Sequence, residues 1–153
     1  MAPGFIDLHA HGQNLGDYRM LAMQGVTTAL ELESGVLPIS DWYSGQAEKG
    51  LPINFGASAG WTFSRIATFT NSDPLATPGY FQDAQGRDDW KLEIADDAQS
   101  TSILDLLDEG LQQGALGIGI NAGYAPGYGQ KEYFALAKLA GKYGAATFTH
   151  VRY

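Results

Sequence analysis

The 153-residue sequence contains no cysteine. That excludes a disulfide framework and any thiolate metal site, so a metal here must be held by imidazole nitrogen and carboxylate oxygen. Basic residues are scarce: 9 Lys+Arg stand against 17 Asp+Glu, a formal net charge of -8. That balance argues against nucleic acid or an acidic membrane surface as a partner. No run of about eighteen apolar residues occurs, so no membrane-spanning helix is expected. The opening Met1-Ala2-Pro3-Gly4-Phe5-Ile6 lacks a basic region followed by a long apolar core. It does not read as a signal peptide, and the cytoplasm is the expected location. No Gly-x-Gly-x-x-Gly follows the first apolar run, which leaves a dinucleotide-binding fold without support. What remains is a globular composition, 44% hydrophobic and 17% charged, long enough for one domain with a sizeable core.

Strand and helix signals alternate along the chain. Gly4 to His9 reads as a short strand, and Asp17 to Gln24 as a helix stopped by Gly25. Val26 to Glu33 begins with the β-branched run Val26-Thr27-Thr28 and reads as a second strand. A helix from Ser40 to Lys49, with Ser40 as N-cap, leads to a third strand at Ile53 to Ser58. Residues 60–98 interrupt the rhythm with turn chemistry at Asn71-Ser72-Asp73-Pro74, Thr77-Pro78-Gly79 and Gly86-Arg87-Asp88. An insertion with short helices is expected there. A helix from about Ser100 to Gln113 follows, with Ile103, Leu104, Leu107 and Leu111 on one face. A fourth strand (Leu116 to Asn121), a helix (Lys131 to Tyr143) and a fifth strand (Ala145 to Thr149) complete the pattern.

Five strands alternating with helices predict parallel α/β architecture. A (β/α)8 barrel needs about 250 residues, so the expectation is a partial TIM-like barrel holding about five of its eight strands. Its open edges would need covering, by the remainder of the barrel or by another copy of the chain.

His9-Ala10-His11 lies where the first strand meets a loop. Residues i and i+2 of a strand share a face, so both imidazoles can converge on one cation. Asp7 has the same parity and could support a ligand or balance the metal's charge. On the second strand, Glu31 and Glu33 alternate with Leu30 and Leu32. If the leucines pack under helices, the glutamates point into the barrel, where a carboxylate needs a cation or a partner. Glu33, nearer the strand's C-terminal end, is the first choice as ligand, with Glu31 as deeper support or ion-pair partner. His150, the third and last histidine, sits at the end of the fifth strand. In the glycine-rich run after the fourth strand, Asn121 and Tyr124 are candidate substrate contacts. Arg152 could hold a substrate carboxylate or form a structural ion pair. Trp42, Trp61 and Trp90 read as packing.

The stretch Pro3-Gly4-Phe5-Ile6-Asp7-Leu8-His9-Ala10-His11 resembles the first-strand signature of the amidohydrolase superfamily, and Gly25-Val26-Thr27-Thr28 resembles the start of its second strand. Gly114-Ala115-Leu116-Gly117 through Tyr124-Ala125-Pro126-Gly127, with Thr149-His150-Val151-Arg152, resemble N-acyl-D-amino-acid deacylases more specifically. The resemblance implies that residues 1–153 are the N-terminal part of an amidohydrolase barrel. It implies one or two divalent ions, zinc first among them, bound by His9, His11 and His150, to which the alternation of strand two adds Glu33 as the first choice of carboxylate ligand. The substrate would be a small N-acyl-D-amino acid. It further implies a general-base aspartate on strand eight and another histidine ligand on strand six, neither within this chain. The chain alone is therefore expected to be inactive and to bind metal weakly. One departure stands out. These deacylases carry a metal-binding cysteine near the end of strand two, where Ser34 stands in straight register and Glu33 one residue away. A cyclic-amide hydrolase of the dihydroorotase kind, and a non-catalytic metal-binding or assembly domain, are the alternatives.

Overall fold

A computed structural model describes residues 2–151. Its elements run β1 (Phe5–Asp7), α1 (Leu15–Met23), β2 (Val26–Val36), α2 (Ile39–Glu48), β3 (Asn54–Gly60) and α3 (Trp61–Thr70). Then follow α4 (Pro78–Asp83), a 3₁₀ turn (Ala84–Gly86), α5 (Asp89–Leu92), α6 (Asp97–Gln112), β4 (Gly117–Asn121), α7 (Gln130–Lys142) and β5 (Ala146–His150). The strands form one sheet in the order β1-β2-β3-β4-β5, and every neighbouring pair is parallel. Parallel strands laid down in chain order, each reached through a helical crossover, are the progression of a (β/α)8 barrel. The sheet is curled enough that β2 touches β4 and β5 as well as its direct neighbours. The fold is α/β, five strands of a partial TIM-like barrel.

The main core lies between the sheet and the helices α2, α3, α6 and α7. Ile39, Trp61, Ile103, Leu107, Ile118, Ile120 and Leu136 are all fully buried there. The helix α6 begins with a capping box in which Asp96 and Gln99 satisfy each other's backbone N–H groups. Most boundaries shift by one to three residues from the sequence expectation, and three of the shifts have identifiable reasons. The helix α2 starts at Ile39 with Pro38 at its N-cap position, so Ser40 lies inside the first turn, and its free N–H is satisfied by Gln113 Oε1 at 3.1 Å. The strand β1 ends at Asp7, whose carboxylate accepts the His9 backbone N–H at 3.0 Å and bends the chain. Asp7 thus holds the turn instead of a histidine ring. The strand β2 continues to Val36 through an irregularity: Glu31 pairs with Ala57 but Val36 with Ala59, so five steps on β2 match two on β3.

That bulge is accommodated by two features. Ser58 donates to the Leu32 carbonyl at 2.5 Å, giving the displaced backbone a partner. Gly119 of β4 lies so close that an added Cβ would fall 2.5 Å from the Leu32 oxygen and 2.6 Å from that of Glu33. No helix among the described residues is long and apolar enough to cross a membrane.

Candidate metal centre

The bend after β1 and the bulge in β2 bring their side chains to one point at the C-terminal ends of the strands. His9 Nε2 lies 2.9 Å, and His11 Nε2 3.2 Å, from Glu33 Oε2. His150 Nδ1 pairs with the other oxygen, Glu33 Oε1. The ligand atoms of His9, His11 and Glu33 lie within 4.8 Å of one another, and the two histidine rings meet edge to face at 4.6 Å. Glu33 is buried while His9 remains mostly exposed, so the carboxylate forms the floor and the imidazoles the rim.

Glu31, also buried, faces His11 from the other side, with Oε1 at 3.0 Å and Oε2 at 3.1 Å from Nδ1. This hydrogen bond is the main reason the His11 pKa is raised. Partial burial opposes it, and the charges of Glu31 and Glu33 add to it. Behind Glu31 stands Gln13, whose Nε2 is 3.4 Å from Glu31 Oε2, and behind Gln13 stands Trp42. Neither was singled out as a site residue from sequence. Both act across distances of 18 and 29 residues in the chain, where no local spacing signals them.

The cluster suits a cation. Glu33 Oε1 is a buried carboxylate oxygen whose contact is the ring nitrogen of His150. Two imidazoles and a carboxylate converge there, with the third imidazole, His150, outside that group on the carboxylate's other oxygen. Imidazole nitrogen with carboxylate oxygen is a donor chemistry typical of zinc and similar divalent ions. Ser34 does not join the cluster: its hydroxyl accepts the Asn121 amide at 3.0 Å.

Glu33 also separates two cavities. One, of about 280 Å³, is walled by His11, Asn121, Tyr124, Phe63 and, from α4, Pro78 and Phe81. Tyr124 packs against Phe81 at 5.6 Å and the His150 ring at 5.3 Å, and stays partly exposed. Asn121 is buried, with Oδ1 unpartnered. The other cavity, about 460 Å³, lies between the ends of β1 and β5 and is lined by Leu8, His9, Phe148, His150 and Val151. Arg152 lies outside the described residues. The three tryptophans are buried, as packing requires, and each indole N–H is used: Trp42 on Gln13, Trp61 on Glu132, Trp90 on the Ala84 carbonyl. A buried pair away from the centre, Arg65 and Glu132 at 2.6 Å, also escaped the sequence reading.

Comparison with known proteins follows the same lines. No protein-family model matches the chain. The N-acyl-D-aspartate deacylase of Alcaligenes xylosoxydans xylosoxydans is 28% identical over 184 residues, covering 99% of this chain and 33% of that protein. The crystal structure of D-aminoacylase that defines a novel subset of amidohydrolases superposes with a TM-score of 0.73 at 21% identity, covering 99% of this chain and 34% of that one. The chain resembles N-acyl-D-amino-acid deacylases. N-acyl-D-glutamate deacylase from Bordetella bronchiseptica, solved with zinc and a phosphonate mimic of the tetrahedral intermediate, gives a TM-score of 0.74 at 21% identity, with the same coverage. A D-aminoacylase structure concerned with a binuclear metal centre gives 0.73 at 20%. The chain spans about a third of the length of these deacylases, and over that third its fold matches that of the solved ones.

Proposed function

We propose that this chain provides the metal-binding part of a hydrolase that cleaves the amide bond of N-acyl-D-amino acids. His9, His11, Glu33 and His150 are its ligands for a divalent cation, zinc first. One observation carries the reading: the two oxygens of buried Glu33 are shared among three imidazoles at the strand ends, and a buried carboxylate there needs a cation or a partner to balance it. Such a cation would polarise the acyl carbonyl and acidify a water molecule at neutral pH.

In this reading the chain's own groups bind and orient. Glu33 supplies the negative charge that holds the cation, and Glu31 keeps the His11 Nδ1 occupied. Tyr124 and Asn121 contact the substrate from the 280 Å³ cavity, whose Phe63 and Phe81 wall takes its apolar portion. Arg152 pairs with the substrate carboxylate. Residues 60–98 act as an insertion that brings α4 over the cavity. The general base and a further histidine come from outside these 153 residues. The remainder of the barrel, or another copy, covers the edges at β1 and β5, in a cytoplasmic protein.

Zinc titration of the chain tests the centre. Native chain should bind zinc weakly, and Glu33→Ala should weaken binding by more than about a hundredfold, beyond the effect of losing a group behind a ligand. Absence of zinc binding by the native chain would sink the reading. Turnover assays test the chemistry: the longer protein carrying this chain should hydrolyse N-acyl-D-amino acids in preference to cyclic amides, and the 153 residues alone should hydrolyse neither.

A further inference from the structure

The hydrogen bonds behind His11 form a chain with one direction. Trp42 Nε1 donates to Gln13 Oε1 at 2.8 Å, Gln13 Nε2 faces Glu31 Oε2 at 3.4 Å, and Glu31 faces His11 Nδ1 at 3.0 Å. An indole N–H can only donate, so the Gln13 atom turned toward it must be the carbonyl oxygen. The Gln13 amide group is then turned toward Glu31. An ionised carboxylate can only accept, so the His11 nitrogen beside it carries the proton. The lone pair of the neutral ring is left on Nε2, the atom that points at Glu33 Oε2.

The far end of this chain is rigid. Trp42 is buried on α2, with its ring against Tyr43 and Phe55 at 5.2 and 5.9 Å. The same helix and the residue that ends it grip Gln13 by its main chain as well: Gln46 Nε2 and Lys49 Nζ donate to the Gln13 carbonyl at 3.3 and 3.2 Å. Helix α2 thus fixes both the backbone and the side chain of the residue behind Glu31. Without Gln13, Glu31 loses a donor that holds one of its oxygens, and the His11 ring loses a fixed neighbour.

We propose that Trp42 and Gln13 are positioning residues that act through Glu31 to set the tautomer and orientation of His11, presenting Nε2 to a cation. The proposal rests on the metal centre described above. Groups behind a ligating histidine typically change metal affinity about ten- to hundredfold when removed.

The test uses the 153-residue chain. Gln13→Met keeps the length of the side chain and removes both of its hydrogen bonds. Trp42→Phe keeps an aromatic ring and removes the N–H. Zinc affinity is measured by competition with a chromophoric chelator. With cobalt in place of zinc, the paramagnetically shifted Nδ1–H proton of His11 reports its protection from exchange with water. Both variants should bind zinc about ten- to hundredfold more weakly, and the His11 Nδ1–H signal should broaden by exchange. The unfolding midpoint of Gln13→Met should stay near native. A purely structural role would shift the midpoint and leave the Nδ1–H signal sharp. If Trp42→Phe does not fold, Gln13→Met, at a half-buried position, decides. Native affinity and a sharp signal in Gln13→Met would overturn the proposal alone. A native chain that binds neither zinc nor cobalt would overturn the metal centre and this proposal with it.

Discussion

At the scale of single residues, the candidate site was legible where chemistry and strand position coincide. Three histidines, each at a strand end, and two glutamates of one parity can be read without coordinates; in the structure His9, His11 and Glu33 converge, Glu31 touches His11, and His150 touches the other oxygen of Glu33. Gln13 and Trp42 could not be read, because a glutamine in a loop and a tryptophan on a helix face look the same whether or not they meet. Tyr18 is a similar case. It reads as one apolar position of α1, yet burial pushes its hydroxyl up to about 12, with the charges of Glu31 and Asp17 adding to the effect. The folded pKa lies above the usual 10.0, so the folded state favours the protonated phenol. The resulting stability is complete below about pH 10 and is lost as pH rises from there toward 12. Phenolate absorbance should show a late-titrating component that disappears in Tyr18→Phe. Tyr80 is also pushed upward by burial, so part of the late signal should survive the substitution. Titration of the native and Tyr18→Phe proteins along one curve would contradict the burial of this hydroxyl.

At the scale of elements, the alternation of strands and helices was readable from periodicity, but the devices that aim them were not. The bulge in β2 depends on Ser58 and Gly119, which belong to two other strands. In Gly119→Ala the new Cβ would press on two main-chain oxygens, which cannot rotate away. The expected cost is about 1–3 kcal/mol, as for other overpacked cores. Because one of those oxygens belongs to Glu33, zinc affinity should fall as well. Denaturant unfolding and zinc titration of the variant measure the two effects, and native values for both would mean the bulge yields freely. The Arg65–Glu132 pair shows the same dependence on partners distant in sequence. Fully buried Arg65 on α3 donates to Glu132 on α7 and to the carbonyls of Trp90 and Glu93, and Glu132 also accepts the Trp61 indole. It ties the 60–98 segment to the barrel helices. Arg65→Met strands a buried carboxylate and should cost about 3–5 kcal/mol. Adding Glu132→Gln removes that stranded charge and should restore part of the loss. A double variant no more stable than Arg65→Met would show that the carbonyl contacts, not the ion pair, dominate.

At the scale of the molecule, the partial barrel follows from counting strands against length, and its consequence is surface. The strands β1 and β5 end the sheet, so each has one edge unpaired among the described residues. Phe5, Ile6 and Leu8, in and just after β1, are 60%, 62% and 59% exposed. Between the ends of β1 and β5 the 460 Å³ cavity opens onto Leu8, Phe148 and Val151, apolar groups that a closed barrel would cover. An exposed apolar edge strand is a template for pairing with another chain. The net charge of -8 opposes association over long range, but salt screens it within about 8 Å at physiological ionic strength. Edge pairing, which acts at contact, should therefore win as salt is raised. Sedimentation velocity should show species heavier than the monomer that grow with protein and salt concentration. Ile6→Lys places a charge on the β1 edge and should shift the distribution toward monomer without lowering zinc affinity, since Ile6 lies outside the histidine cluster. A chain that stays monomeric at every salt concentration would mean that the curled sheet shields its own edges, and that the proposed cover at β1 and β5 is not needed for solubility.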